Sequence, residues 1–250
     1  MDKVLCVSVV RDWGMYNKCM QRNLFAAGME LFPIDNRERN ESVSVCYNRF
    51  LKNRPADEKS WYVFCHEDFE LKEPLPQLLE DLDKNSLWGP IGAVTFVRWG
   101  LYHQWQMLGR VEECAKDGSN SHLVGTSVPR GTPVETFDCQ CVIVHASLVR
   151  RFGLRFDEAL SFDLYVEEFC IAAHEKGGVI SRILPFKCRH WSGGSVQPRY
   201  YEQEAHVNAK YPNACYTGTS SWILGGKPPF FRRFTVAMKR LVLVSKRKLG

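Results

Sequence analysis

The sequence predicts an α/β fold: a doubly wound, mostly parallel mixed sheet with helices on both faces. Three observations predict it. Short β-branched runs alternate with helical segments. Those runs are apolar throughout, as in strands covered on both faces. One of them, Trp61-Tyr62-Val63-Phe64-Cys65, ends abruptly in His66-Glu67-Asp68. Ligands of open α/β sheets bind where strands end, so this acidic end is either a site or a strand running out into solvent.

Val4–Val10 reads as the first strand. Tyr16–Ala27 has helical composition and stops at Gly28, a residue suited to a C-cap. Met29–Ile34 is a second strand, followed by Asp35-Asn36 in a polar loop. Val43–Lys52 is a helix, Trp61–Cys65 the third strand, Leu75–Asp83 a helix after two prolines, and Ile91–Val97 the fourth strand. From Trp99 to Thr132 the pattern dissolves into Gly, Ser, Asn and isolated aromatics, and loops this long inside a domain are more often functional than accidental. Val134–Val144 is strand-like, Phe162–Lys176 a helix ended by Gly177-Gly178, and Val179–Phe186 a late strand. No linker precedes Gly225-Gly226, so residues 1–226 read as one domain and 227–250 as a separate element.

The chain is long and apolar enough for a real core. It has no run approaching a membrane span, and its first residues lack the form of a signal peptide, which predicts a cytoplasmic protein. Ten cysteines are scattered without a Cys-x-x-Cys pair, and Cys139-x-Cys141 has no partner pair to complete a zinc site. Reduced, mostly buried thiols are expected. Eight basic residues and no acid in 227–250 exceed the whole net charge of +5, so residues 1–226 carry −3. A nucleic-acid partner is therefore not expected. In the tail, Phe231, Phe234, Met238, Leu241 and Val242 recur at helical spacing between basic residues. Such a basic amphipathic helix either lies on an anionic membrane, giving a peripheral location at the inner face of the cell membrane, or docks on the body with its lysines solvated.

Four further constellations carry chemistry. In Phe162-Asp163-Leu164-Tyr165-Val166-Glu167-Glu168, Asp163 can cap the helix and place both glutamates in its first turns. Glu168 shares a face with Leu164, Ile171 and Ala172, where desolvation would raise its pKa toward that of a general base; the plainer reading is two dipole-stabilising surface glutamates. His190-Trp191-Ser192-Gly193-Gly194 can complete a metal site or touch phosphate, or be structural. Gly89-Pro90-Ile91-Gly92 permits close backbone approach to a ligand or a tight strand entry. Asp138, between two apolar runs, can hold an acceptor hydroxyl or cap a turn.

In their order, these segments resemble the GT-A fold glycosyltransferases, within them a family-2-like bacterial branch. The resemblance runs over about residues 3–215 and rests on His66-Glu67-Asp68, Gly89-Pro90-Ile91-Gly92, Val134 to Cys139, Phe156-Asp157-Glu158, Phe162 to Ile171, and His190 to Gly194. It implies transfer of a sugar from a nucleotide-diphosphate donor, with inversion and a divalent cation, Mn²⁺ or Mg²⁺. Asp68 would take the metal-diphosphate role, with His66 beside it and His190 as the late ligand. Val7, Ser8, Asp35, Asn36 and Gly92 would join Asp68 around the donor. Asp138, Glu167 and Trp191 would face the acceptor, a glycan or lipid-linked hydroxyl.

Two departures stand out. Glu168 falls where the family carries an aspartate base, one methylene shorter, and Val166 where a second acid is common. Glu67 is not the first aspartate of a strict Asp-x-Asp. Two other classes remain open: a metal-dependent hydrolase or phosphotransferase, and a non-catalytic sugar-nucleotide or glycan-binding relative.

Overall fold

The computed structural model describes residues 2–55, 59–98, 102–192, 197–220 and 223–226. The basic segment 227–250 and Gly193-Gly194 lie outside the described residues. In chain order the elements are β1 (Lys3–Val10), α1 (Trp13–Tyr16), β2 (Glu30–Asp35), α2 (Val43–Lys52), β3 (Ser60–Cys65), β4 (Phe69–Leu71), α3 (Pro76–Leu79), β5 (Leu87–Gly89), β6 (Ile91–Arg98) and β7 (Tyr102–Gly109). There follow β8 (Val111–Glu113), β9 (His122–Val124), β10 (Pro133–Val134), β11 (Thr136–Phe137), β12 (Cys141–His145), α4 (Ala146–Phe152), α5 (Tyr165–Gly177), β13 (Ser181–Ile183), β14 (Cys188–His190) and α6 (Pro198–Lys210).

A seven-stranded sheet, β10-β13-β5-β12-β3-β1-β2, forms the centre. β1, β2, β3, β5 and β13 run one way, and only β12 and β10 oppose them. Alternate residues of the central strands feed two cores. Leu5, Val7, Tyr62 and Phe64 pack with Tyr47 of α2 and Phe169 of α5 on one side. Val4, Cys6, Trp61 and Val63 pack with Tyr16, Met20 and Leu79 on the other. The all-apolar runs thus have the cause expected of them, burial on both faces. Two smaller sheets, β11-β6-β7 and β4-β14-β8-β9, extend the end where β3 stops.

Several expectations are corrected. Tyr16–Ala27 is not one helix. α1 runs into a π-helical turn (Asn17–Gln21) and a separate 3-10 turn (Leu24–Ala26). Asn23 divides them, its amide donating to the Cys19 and Leu71 carbonyls while its oxygen accepts from the Phe25 amide. Of Leu75–Asp83 only Pro76–Leu79 is helical. The long loop 99–132 contains three strands: β7 pairs with β6 along eight residues, and β8 pairs with β9 and β14. Its strands alternate polar with apolar side chains (Gln104, Trp105, Gln106, Met107), which blurs the apolar signal. Val134–Val144 divides into β10, β11 and β12. Asp163 does not cap α5; the cap position is Leu164, in the left-handed region at φ 59°, and Asp163 instead accepts from Arg199 at 2.7 Å.

The ten cysteines are thiols rather than disulfides, eight of them buried. Among the described residues no helix is long and apolar enough to cross a membrane.

Candidate active site

β3 delivers His66 and Asp68 to the turn before β4. β14 pairs antiparallel with β4, setting His190 opposite Phe69, and the Trp191 amide donates to the Asp68 carbonyl at 3.0 Å. Two distant stretches of chain thereby form one cluster. His66 Nδ1 lies 3.4 Å from His190 Nε2, and Asp68 Oδ1 lies 3.3 Å from His190 Nε2 and 3.9 Å from His66 Nδ1. One ligand atom from each of the three sits within 4.8 Å of the others. Asp68 Oδ1 and His66 Nε2 are buried with no hydrogen-bond partner.

A buried, unanswered carboxylate oxygen facing two imidazoles is what a cation site looks like with its charge removed, so the residues fit a divalent metal. Glu113 of β8, paired beside β14, places its carboxylate 3.2 Å from His190 Nδ1. It fixes the ring so that Nε2 faces the cluster, the carboxylate–histidine arrangement common behind metal ligands. Burial alone would depress the basicity of His190, but the carboxylates of Asp68 and Glu113 beside it prevail and lift it to about 10. His66 moves down, chiefly because burial disfavours its cation. For Asp68, burial is outweighed by His190, and the carboxyl is held below its ordinary value.

The cluster opens into a cavity of about 440 Å³ that also receives Asp138, Cys139, Phe162, Glu167 and Thr219. Glu167 projects from the first turn of α5 and is 2% exposed. Burial, then the charge of Asp138, push its carboxyl up to about 7 against the opposing hydrogen bonds. Those bonds come from Cys139 Sγ at 3.0 Å and Thr219 Oγ1 at 2.7 Å, which hold both oxygens in place. Phe162 stacks on the His66 ring, centroids 5.3 Å apart. It also borders a smaller cavity of about 150 Å³ lined by Val9, Arg11, Tyr47 and Lys116, which shares His66 and Asp68.

The remaining expected residues divide. Asp138 lines the cavity of His66, Asp68 and His190, its Oδ1 accepting from the amide and side chain of Gln140. Glu168 does not: it is fully buried beside a different groove, with Oε1 taking hydrogen bonds from Lys210 at 2.8 Å and Tyr211 at 2.6 Å. Glu168 is thus committed elsewhere, and its neighbour Glu167 faces the cavity of His66, Asp68 and His190. Val7 and Ser8 are fully buried, Ser8 against Cys65 at 3.4 Å; Val9, the next residue, reaches the smaller cavity. Asp35 is exposed and paired with Arg37, and the Asn36 side chain is consumed by the backbone of Glu41.

At Gly92 a Cβ would fall 2.5 Å from the Thr136 carbonyl oxygen, so the close packing of β11 on β6 calls for glycine there. Trp191 turns away from the pocket, donating to Glu70 at 2.9 Å with Lys18 Nζ 3.2 Å from its ring centre. Glu67 accepts from the amides of Arg11 and Asp12, tying the end of β1 to the end of β3. Glu113 and Thr219 belong to none of the expected motifs, and Cys139 and Phe162 stand in motifs that gave them no role in the site. Only Glu113 carried a signal, as an acid within the 99–132 segment.

Compared by sequence, the chain matches no family model and no curated protein. Compared by structure, it overlays S. aureus TarS residues 1–349 with TM-score 0.51 at 12% identity, covering 85% of this chain and 66% of that one. The same TarS fragment solved in complex with UDP overlays with TM-score 0.50 at 13% identity, over 86% and 66%. The chain thus spans just under two thirds of those neighbours. Its fold is that of the GT-A glycosyltransferases.

Proposed function

We propose that the chain is an inverting, metal-assisted glycosyltransferase that uses a nucleotide-diphosphate sugar, and that Glu167 rather than Glu168 is its base. The observation that carries this reading is one cavity holding both the His66–Asp68–His190 cluster and a carboxyl poised at about 7. The GT-A fold and the UDP bound by one structural neighbour agree with it.

Two imidazoles and one carboxylate form a donor set that suits Mn²⁺ better than Mg²⁺, which prefers all-oxygen ligands. A divalent cation held by these residues would supply charge neutralisation for the leaving diphosphate. Glu167, ionised, accepts the proton of an acceptor hydroxyl as that oxygen bonds to the anomeric carbon and the bond to the diphosphate breaks. Cys139 and Thr219 keep the carboxylate aimed. Asp138 raises its basicity and lies where a second acceptor hydroxyl would bind. Val9, Arg11 and Lys116 lie where the nucleotide would enter. The acceptor is a glycan or lipid-linked hydroxyl, and the basic segment 227–250 would hold the domain at an anionic membrane.

The test is thermal melting with UDP and UDP-sugars, with and without Mn²⁺. Saturation at about a hundredfold over Kd stabilises by about 2.7 kcal/mol, so a clear Mn²⁺-dependent rise in Tm is expected, and Asp68→Asn should abolish it. A flat response to every nucleotide with metal present would sink the reading. Nucleotide-sugar turnover that needs no acceptor would move the chain to the hydrolases.

A further inference from the structure

A groove of about 1090 Å³, larger than the metal pocket, runs along α5. Its walls come from α2, the turn after α4, α5 and the end of α6, and the proposed chemistry uses none of it. Glu168 lies at its base. Oε1 is satisfied by Lys210 and Tyr211, but Oε2 is buried with no hydrogen-bond partner. A buried acceptor left unanswered is costly, more so when charged, and a donor brought to it from the groove removes that penalty.

The walls indicate which ligand. Lys52, Arg155 and Lys176 are interspersed with Asp157, Glu158 and Glu175, so no field of one sign favours a polyanion or an anionic membrane. Val45, Phe156 and Ala172 add apolar surface between the charges. A hydroxyl both donates and accepts, so a chain of hydroxyls over apolar ring faces meets carboxylates and cations alike.

We propose that this groove binds a neutral glycan chain, as a second carbohydrate site on the other side of α5 from Glu167. The inference rests on the groove's own lining and not on the transferase reading, so it is tested without nucleotide or metal. The full chain is titrated by heteronuclear NMR with chitotetraose, cellotetraose and maltotetraose. At least one binds, and Ala172→Trp, which fills the groove, weakens it about tenfold or more, a loss of about 1.4 kcal/mol. Should Ala172→Trp fail to fold, Lys52→Ala on the exposed rim is expected to weaken binding several-fold. Asp138→Asn, in the metal pocket, leaves binding unchanged. The proposal is overturned if none of the three tetrasaccharides binds, if the groove variant binds as the parent does, or if Asp138→Asn abolishes binding.

Discussion

Glu167 and Glu168 are consecutive residues of α5 with separate partners. Glu167 accepts from Cys139 and Thr219 in the cavity that holds His190, whereas Glu168 accepts from Lys210 and Tyr211 beside the second groove. A helix turns about 100° per residue, enough to carry adjacent carboxylates into different surroundings. The two substitutions should therefore fail differently. Glu167→Gln should lower kcat by about 10²–10⁴, the usual worth of a positioned base, with no loss of melting temperature. Glu168→Gln should retain most activity and lose stability, by about 1–2 kcal/mol once the partial exposure of Lys210 is discounted. Equal activity losses in the two variants would refute the assignment.

The raised carboxyl of Glu167 gives two pH dependences. Activity should climb as pH passes through about 7, where the base ionises. Stability should run the other way. An unfolded glutamate titrates near 4.3, so between there and about 7 the folded chain keeps a proton that the unfolded chain has released. Stability then falls with rising pH through that window, by up to about 4 kcal/mol from this group. Glu167→Gln should remove that slope, giving a flatter Tm-versus-pH curve and a higher Tm than the parent at pH ~8. Parallel curves for the two proteins would show that burial does not control this carboxyl.

Gly92 tests whether the Gly89–Gly92 segment packs or binds. With Thr136 O 2.5 Å from an added Cβ, Gly92→Ala must push β11 away from β6. A destabilisation of about 1–3 kcal/mol is expected, with nucleotide affinity unaltered in the folded fraction. Weakened nucleotide binding at unchanged Tm would return the residue to the donor site.

Co-sedimentation with phosphatidylserine-containing vesicles, comparing the full chain with one ending at residue 226, checks the basic segment. Eight cations without an acid should make pelleting depend on the tail and fall with salt. Equal pelleting of the two chains would remove the membrane from the proposal.

The sheet was legible because strands buried on both faces must be apolar throughout, and Trp61–Cys65 and Val4–Val10 are. Strands of the smaller sheets were not, since β7 alternates polar and apolar residues like an exposed segment, and β11 has two residues. Asn23 likewise ends a helical pattern through a bond to Leu71, a partner invisible to local periodicity.

Of the site, the His66-Glu67-Asp68 end of β3 could be read directly, because a charged triplet closing an apolar strand is a local signal. Tertiary structure decided the rest. Pairing of β14 with β4 and β8 brings His190 and Glu113 to Asp68, and the left-handed turn at Leu164 sets the rotation of α5 that sends Glu167 into the pocket and Glu168 away. Composition records which residues can carry charge, but a carboxylate's basicity and partner depend on burial and on groups far along the chain.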